Sequence, residues 1–272
     1  MFQPSPIFIT PQPSLTITKP ATTSFPAPTT TFTSLPPSPT PIFEVVIDNL
    51  AIGQQGQLYF SGFGANGDDL RHYAQWDGAK WIALGNGFQT AGNSLVVDGV
   101  GHLYTKILFD SMQGMATAIM RWDGENWTQI NTSKLNISLN IALDQSERLY
   151  ASGQWSVPGE VIAHWDGKDW MTITDQLEGE APGVLDMAVD TYGHLYIGGS
   201  FESVSGIPAQ NIAYWYGSLW HALGDGVNER VEAIAFDPGG GLYTVGFFTK
   251  AGGLPVHHVA HWEWEKWNAM EP

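Results

Sequence analysis

The sequence predicts an all-β fold: a five-bladed β-propeller of four-stranded antiparallel blades, preceded by an extended Pro/Thr-rich arm. Three observations predict it. A phrase with two tryptophans five residues apart recurs five times, a Leu-Tyr phrase precedes each copy, and the spacing of the copies is nearly constant. The Leu-Tyr pairs begin at Leu58, Leu103, Leu149, Leu195 and Leu242, at intervals of 45, 46, 46 and 47 residues. A fixed period in this range belongs to propellers, solenoids and arrays. The tryptophan pairs are Trp76/Trp81, Trp122/Trp127, Trp165/Trp170, Trp215/Trp220 and Trp262/Trp267, so ten of the chain's 12 tryptophans share one frame.

The first 42 residues differ from the rest. They hold 11 of the 17 prolines, 15 Ser/Thr and one charged residue, Lys19. Such composition favours extended, solvated backbone and reads as an arm or linker, with the look of an O-glycosylated stalk. Within it, SPIFIT and SLTIT are apolar and β-branched, suited to adding a strand to a sheet edge. The arm is therefore expected to dock on a protein partner or on another copy.

Residues 43–272 carry the repeats, with blades expected at about 43–88, 89–135, 136–180, 181–228 and 229–272. In the fourth, VLDMAVD, HLYIGGSF, NIAYW and LWHALG alternate apolar and polar residues, separated by turn residues. This is the period-2 pattern of antiparallel strands, and no stretch keeps a helical period. Asp98, Asp144, Asp190 and Asp237 each stand five residues before the leucine of Leu-Tyr, where the first repeat has Gly53. One aspartate per repeat is too few oxygens for calcium, so these are expected to form Asx-type turns. Trp-Asp-Gly at 76–78, 122–124 and 165–167 predicts a second hairpin. It decays to Trp215-Tyr216-Gly217 and Trp262-Glu263-Trp264, where looser turns are expected.

The framed tryptophans are expected to hold blades together. Burying one removes ~150–250 Å² from water, which contributes about 4–6 kcal/mol at most. Trp155 continues this logic: it lies five residues after Tyr150, as Phe109, Phe201 and Phe248 do after their tyrosines.

The phrase LYIGGSF…NIAYWYGSLWHALG resembles a kelch-like or WD-like propeller repeat of bacterial extracellular proteins, approximately Leu-Tyr-x-Gly-Gly-x-Phe followed by Asn-Ile-Ala-x-Trp-Asp-Gly-x-x-Trp-x-x-Leu-Gly. The resemblance covers roughly residues 43–272. It implies the propeller fold and not a function, because such repeats are scaffolds with many uses. The double glycine is intact only at Gly198-Gly199, and the second repeat has Lys106-Ile107 there.

The formal charge is −16, with 11 basic residues scattered along the chain. Without a basic stripe, nucleic-acid binding is not expected. No run of 18 apolar residues occurs, so no membrane insertion is expected, and no secretion signal is visible. There are no cysteines, hence no disulfide or thiol chemistry. The Ser/Thr/Pro arm and low Lys/Arg content point to an extracellular or cell-surface setting.

No catalytic motif is found and no cofactor is expected. His257 and His261 would share a face if both lay on a strand, giving half a zinc site. His102/His194 and His164/His261 occupy two repeat positions that tolerate varied polar residues, so exposure is expected there. The loops 64–70, 110–116, 156–160, 202–209 and 249–256 vary most between repeats. They offer Asp68, Asp69, Asp110, Glu160 and Glu202 as weak ligand-binding candidates. The leading expectation is a non-enzymatic structural or interaction module that assembles through its arm. A glycan-binding, lectin-like propeller is the alternative, and a hydrolase or lyase with a site assembled across blades is third.

Overall fold

A computed structural model describes residues 45–53, 55–64, 71–88, 94–111, 114–130, 135–155, 160–174 and 176–270. The arm, 1–42, lies outside them.

Five four-stranded antiparallel sheets follow one another along the chain. The first comprises Val45–Ile52, Leu58–Gly64, Arg71–Trp76 and Trp81–Ala83. The second comprises Leu95–Val97, Leu103–Ser111, Gly114–Trp122 and Trp127–Ile130. The third is Leu135–Leu143, Leu149–Trp155, Glu160–Trp165 and Trp170–Thr174. The fourth is Gly183–Val189, Leu195–Ser200, Ile212–Tyr216 and Leu219–Ala222, and the fifth Val231–Phe236, Leu242–Gly246, Val259–Glu263 and Lys266–Ala269. Among the described residues no helix is long and apolar enough to cross a membrane.

Successive sheets bury alternate residues against one another, each packing one face on the sheet before it and the other on the sheet after it where such a sheet is described. Tyr59, Tyr104 and Tyr150 of Leu-Tyr are buried, and so are Tyr73, Ile119, Ile162 and Ile212 beside them on the third strands. These residues point toward the following sheet: the Tyr59 hydroxyl donates to the Gly101 carbonyl (3.2 Å), and Tyr73 Oη lies 3.2 Å from Thr105 Oγ1. The opposite face meets the preceding sheet. Ile141 clusters with Tyr104 and Ile119, Met187 with Tyr150 and Ile162, and Ile234 with Ile212.

The second tryptophan of each pair works on that same side. Trp127 Nε1 donates to the Leu84 carbonyl (2.8 Å) and Trp267 Nε1 to the Leu223 carbonyl (2.9 Å), each linking its sheet to the one before. Trp170, Trp220 and Trp267 are buried. The first tryptophan of each pair packs against the second, with ring centroids 5.1–5.5 Å apart. Trp264, outside the frame, is exposed.

The first-hairpin turns follow the aspartate expectation. Oδ1 of Asp98, Asp144, Asp190 and Asp237 accepts the backbone N–H groups two and four residues on, at 2.7–3.1 Å. Asp77, Asp123 and Asp166 cap the Trp-Asp-Gly turns through N–H groups two and three residues on. These bonds favour the charged carboxylate and hold all three below the usual carboxylate pKa.

Two expectations are corrected. The decayed second hairpins are tighter, not looser. Tyr216 pairs with Leu219 and Glu263 with Lys266, leaving two-residue turns, whereas Trp76 pairs directly with Trp81 across four. At the fifth sheet Trp264 and Glu265 both take positive φ (54° and 60°), the backbone of a type I′ turn. The loops at 202–209 and 249–256 are also not plain loops. Ser203–Val204 pairs with Ile207–Pro208 and with Leu177–Glu178, and Lys250–Ala251 pairs with Leu254–Pro255. Val204 and Ala251 are fully buried, so these small hairpins serve as packing.

Candidate functional site

The weak loop candidates do not come together. Asp68 and Asp69 lie outside the described residues. Asp110 is on a strand, paired with Met115, because the second and third strands of the second sheet continue to Ser111 and Gly114. Glu160 opens a strand, paired with Gln154. Glu202 is exposed at the base of a packing hairpin, its carbonyl accepting from Ala209 N (2.9 Å).

The histidine pair also separates. The strand starts at Val259, and His258 takes φ 64°, so the backbone leaves the extended geometry that would align His257 with His261. His257 sits exposed in the bend, while His261 Nε2 contacts Asp237 Oδ2 at 3.0 Å. No group of three His, Cys, Asp or Glu placed to hold a metal occurs among the described residues.

The other repeat-position histidines are corrected as well: His102, His164 and His194 are half-buried, and His102 and His194 are bonded. His102 Nδ1 lies 2.7 Å from Asp98 Oδ2, and His194 Nδ1 lies 2.8 Å from Asp190 Oδ2. In the fifth sheet Gly241 stands where these histidines stand. A Cβ there would strike the imidazole of His261, which reaches the aspartate from the third strand instead.

What the structure does build is a cleft of about 490 Å³ between the second and third sheets. Small-molecule sites occupy ~300–1,000 Å³. Tyr104, Arg121 and Gln129 of the second sheet face Glu147, Trp165 and Lys168 of the third, over a floor of Ile130 and Leu149. Arg121 is held against His102, its Nη2 lying 3.0 Å from each imidazole nitrogen. With Nδ1–H donated to Asp98, Nε2 is free to accept from the guanidinium. Arg121 Nε is buried and has no partner among the described residues. The Tyr104 hydroxyl donates to Asp98 (3.3 Å), and burial, then the Asp98 charge, push its pKa up to about 12. It remains a neutral hydroxyl at any ordinary pH.

Glu147 is the unusual member. It occupies the turn position filled by Gly56, Gly101, Gly193 and Gly240 in the other sheets, all at positive φ, and it holds φ 64° itself. For an L-residue this left-handed conformation costs ~1–2 kcal/mol. Strain kept at one of five equivalent turns, where the side chain lines a cleft, points to a role for the side chain. The signal was present in the sequence as one glutamate in a column of four glycines.

No family model matches the chain, and no curated protein is significantly similar to it. Among solved structures, one of a mitotic checkpoint complex is similar at 15% identity, covering 93% of this chain and 72% of that one, with a TM-score of 0.51. TolB from Acinetobacter baumannii is similar at 10% identity, covering 77% of this chain and 53% of that one, TM-score 0.51. A gluconolactonase of Xanthomonas campestris is similar at 16% identity, covering 74% and 69%, TM-score 0.49. YCF48 bound to a D1 peptide and a nidogen/laminin complex are also similar, at 14% and 16% identity, each with a TM-score of 0.49. The expectation of a non-enzymatic structural module does not stand, since a gluconolactonase is among the similar structures and this architecture does not separate enzymes from binders. What the likenesses share with this chain is the fold: it is an all-β protein of propeller repeats.

Proposed function

We propose that the protein binds glycans, and that the cleft between the second and third sheets takes a sugar residue. The observation that carries this reading is Glu147, a carboxylate kept on a strained backbone at the cleft when glycine serves in four equivalent turns. Around it stand the groups a sugar requires. Trp165 offers an aromatic surface for C–H faces, while Arg121, Gln129 and Lys168 offer donors for hydroxyls and ring substituents. The site uses a framed tryptophan, which the sequence reading reserved for packing.

An extracellular setting and a kelch-like assignment of the repeat belong to the same proposal, supported by the Ser/Thr/Pro arm and the repeat phrase. The test is a glycan microarray on the full chain, followed by calorimetric titration of the best binder into wild type and Lys168→Ala. Loss of most of the affinity in the variant is expected. No glycan bound on the array, or equal affinity in both proteins, would overturn the reading.

A further inference from the structure

The cleft between the second and third sheets differs in charge from its counterparts at the other junctions. Two repeat positions set this charge. One is the third-strand residue paired with the tyrosine of Leu-Tyr: Gln75, Arg121, His164 and Tyr214 in the first four sheets. The other belongs to the sheet that follows and stands three residues after its first tryptophan: Glu125, Lys168, Ser218 and Glu265. The four junctions therefore carry Gln75 with Glu125, Arg121 with Lys168, His164 with Ser218, and Tyr214 with Glu265. Only the second pair joins two fixed cations, in a chain with 11 basic residues and a net charge of −16. It is also the pair that lines the cleft, where Glu147 is the single carboxylate of the lining.

Neither cation is neutralised by a neighbour. Arg121 and Lys168 form no ion pair among the described residues. Asp98, on the same sheet as Arg121, is spent locally: Oδ1 accepts from Val100 N and His102 N, and Oδ2 meets His102 Nδ1 and the Tyr104 hydroxyl. Arg121 Nη2 is occupied by His102, whereas Nη1 has no partner among the described residues and, unlike Nε, is not buried. Lys168 is exposed. A surface lysine is ordinarily just solvated. What sets Lys168 apart is that it shares a cleft with a second unpaired cation. Solubility does not call for this pair, because a net charge of −16 already supplies it. A guanidinium fork and an ammonium point charge are the two groups that proteins use to hold an anion, through charge-assisted hydrogen bonds about twice as strong as neutral ones.

Resting on the reading of this cleft as a sugar site, we propose that the sugar it takes is an acidic one, whose carboxylate or sulfate is held by Lys168 and by an N–H of Arg121 Nη1. Glu147 accepts from the ring hydroxyls. A neutral sugar would leave both cations without a counter-charge.

The test is an array printed with matched pairs, each neutral oligosaccharide beside its uronate, sialylated or sulfated form. It is probed with the full chain, and the strongest pair is then titrated by calorimetry. The acidic member is expected to bind at least tenfold more tightly than its neutral partner, with an affinity that falls as sodium chloride is raised. Lys168→Gln is expected to cut that preference to threefold or less, and Lys168→Arg to keep it. Arg121→Gln repeats the test from the other wall, with circular dichroism checking that the β signal is kept. Equal binding of the two members, both weakened by Lys168→Gln, would overturn the acidic sugar and leave the cleft as the site. An acidic preference that survives both charge-removing variants, or no binding to any pair, would overturn the cleft reading along with it.

Discussion

Trp267 donates its indole N–H to the carbonyl of Leu223, 2.9 Å away and 44 residues earlier in the chain. Trp220 holds the equivalent place one sheet earlier, yet its Nε1 is buried and unpartnered among the described residues. The two sites share a frame and differ in one hydrogen bond. Trp267→Phe removes one of the two hydrogen bonds that the Leu223 carbonyl accepts, the other coming from Gly226 N at 3.0 Å, whereas Trp220→Phe removes a donor that has no partner among the described residues. Both lose packing, so the difference isolates the bond. Trp267→Phe is expected to be ~1–2 kcal/mol more destabilising than Trp220→Phe, measured by denaturant unfolding.

Glu147→Gly separates stability from binding. The substitution relieves a left-handed residue and raises the entropy of the unfolded chain. The net gain is about 0.5–1 kcal/mol, equivalent to a rise in Tm of a few degrees. The same change deletes the cleft's carboxylate and is expected to weaken glycan binding at least tenfold. A thermal melt and a titration on one sample check both outcomes.

Asp186 carries a pH signature. Its Oδ2 accepts from Ile234 N in the fifth sheet at 2.8 Å, and burial raises its pKa above the usual value despite that bond and the one from Met187 N. A raised folded pKa means that the folded chain binds more protons, so this residue's contribution to stability is greatest at acid pH. That contribution falls as pH rises through the carboxyl range. The stability of wild type minus that of Asp186→Asn is expected to decline from acid to neutral pH. Unfolding curves across that range check the sign.

Sheet spacing sets what one column of residues tolerates. At Gly198 a Cβ would come within 2.5 Å of Val231 Cγ1. Gly198→Ser is expected to cost ~1–3 kcal/mol through overpacking. Ser152 fills the same position one sheet earlier, its hydroxyl buried without a partner among the described residues. Ser152→Ala is expected to be neutral or slightly stabilising by the same unfolding measurement.

The sequence was most legible where a feature repeats. Five Leu-Tyr and five tryptophan phrases, with aspartates at fixed offsets, set out sheets and turns that the structure places as read. It was less legible where a repeat departs from its pattern. Loss of Trp-Asp-Gly shortened two turns, because Gly217 in one and two left-handed residues in the other allow a two-residue connection. The 202–209 loop reads as polar, yet it buries Val204 against the strand at Leu177, a contact that no local pattern announces. The cleft draws on two sheets, so its members stand up to 64 residues apart, from Tyr104 to Lys168. Only the odd glutamate in a glycine column marked the place.

The central claim is that the cleft between the second and third sheets holds a sugar. The most direct measurement is a crystal structure of the full chain with the glycan that binds best on the array. The account predicts a sugar ring against Trp165 with hydroxyls bonded to Glu147 and Arg121. A sugar seated elsewhere, with this cleft filled by solvent alone, would contradict it.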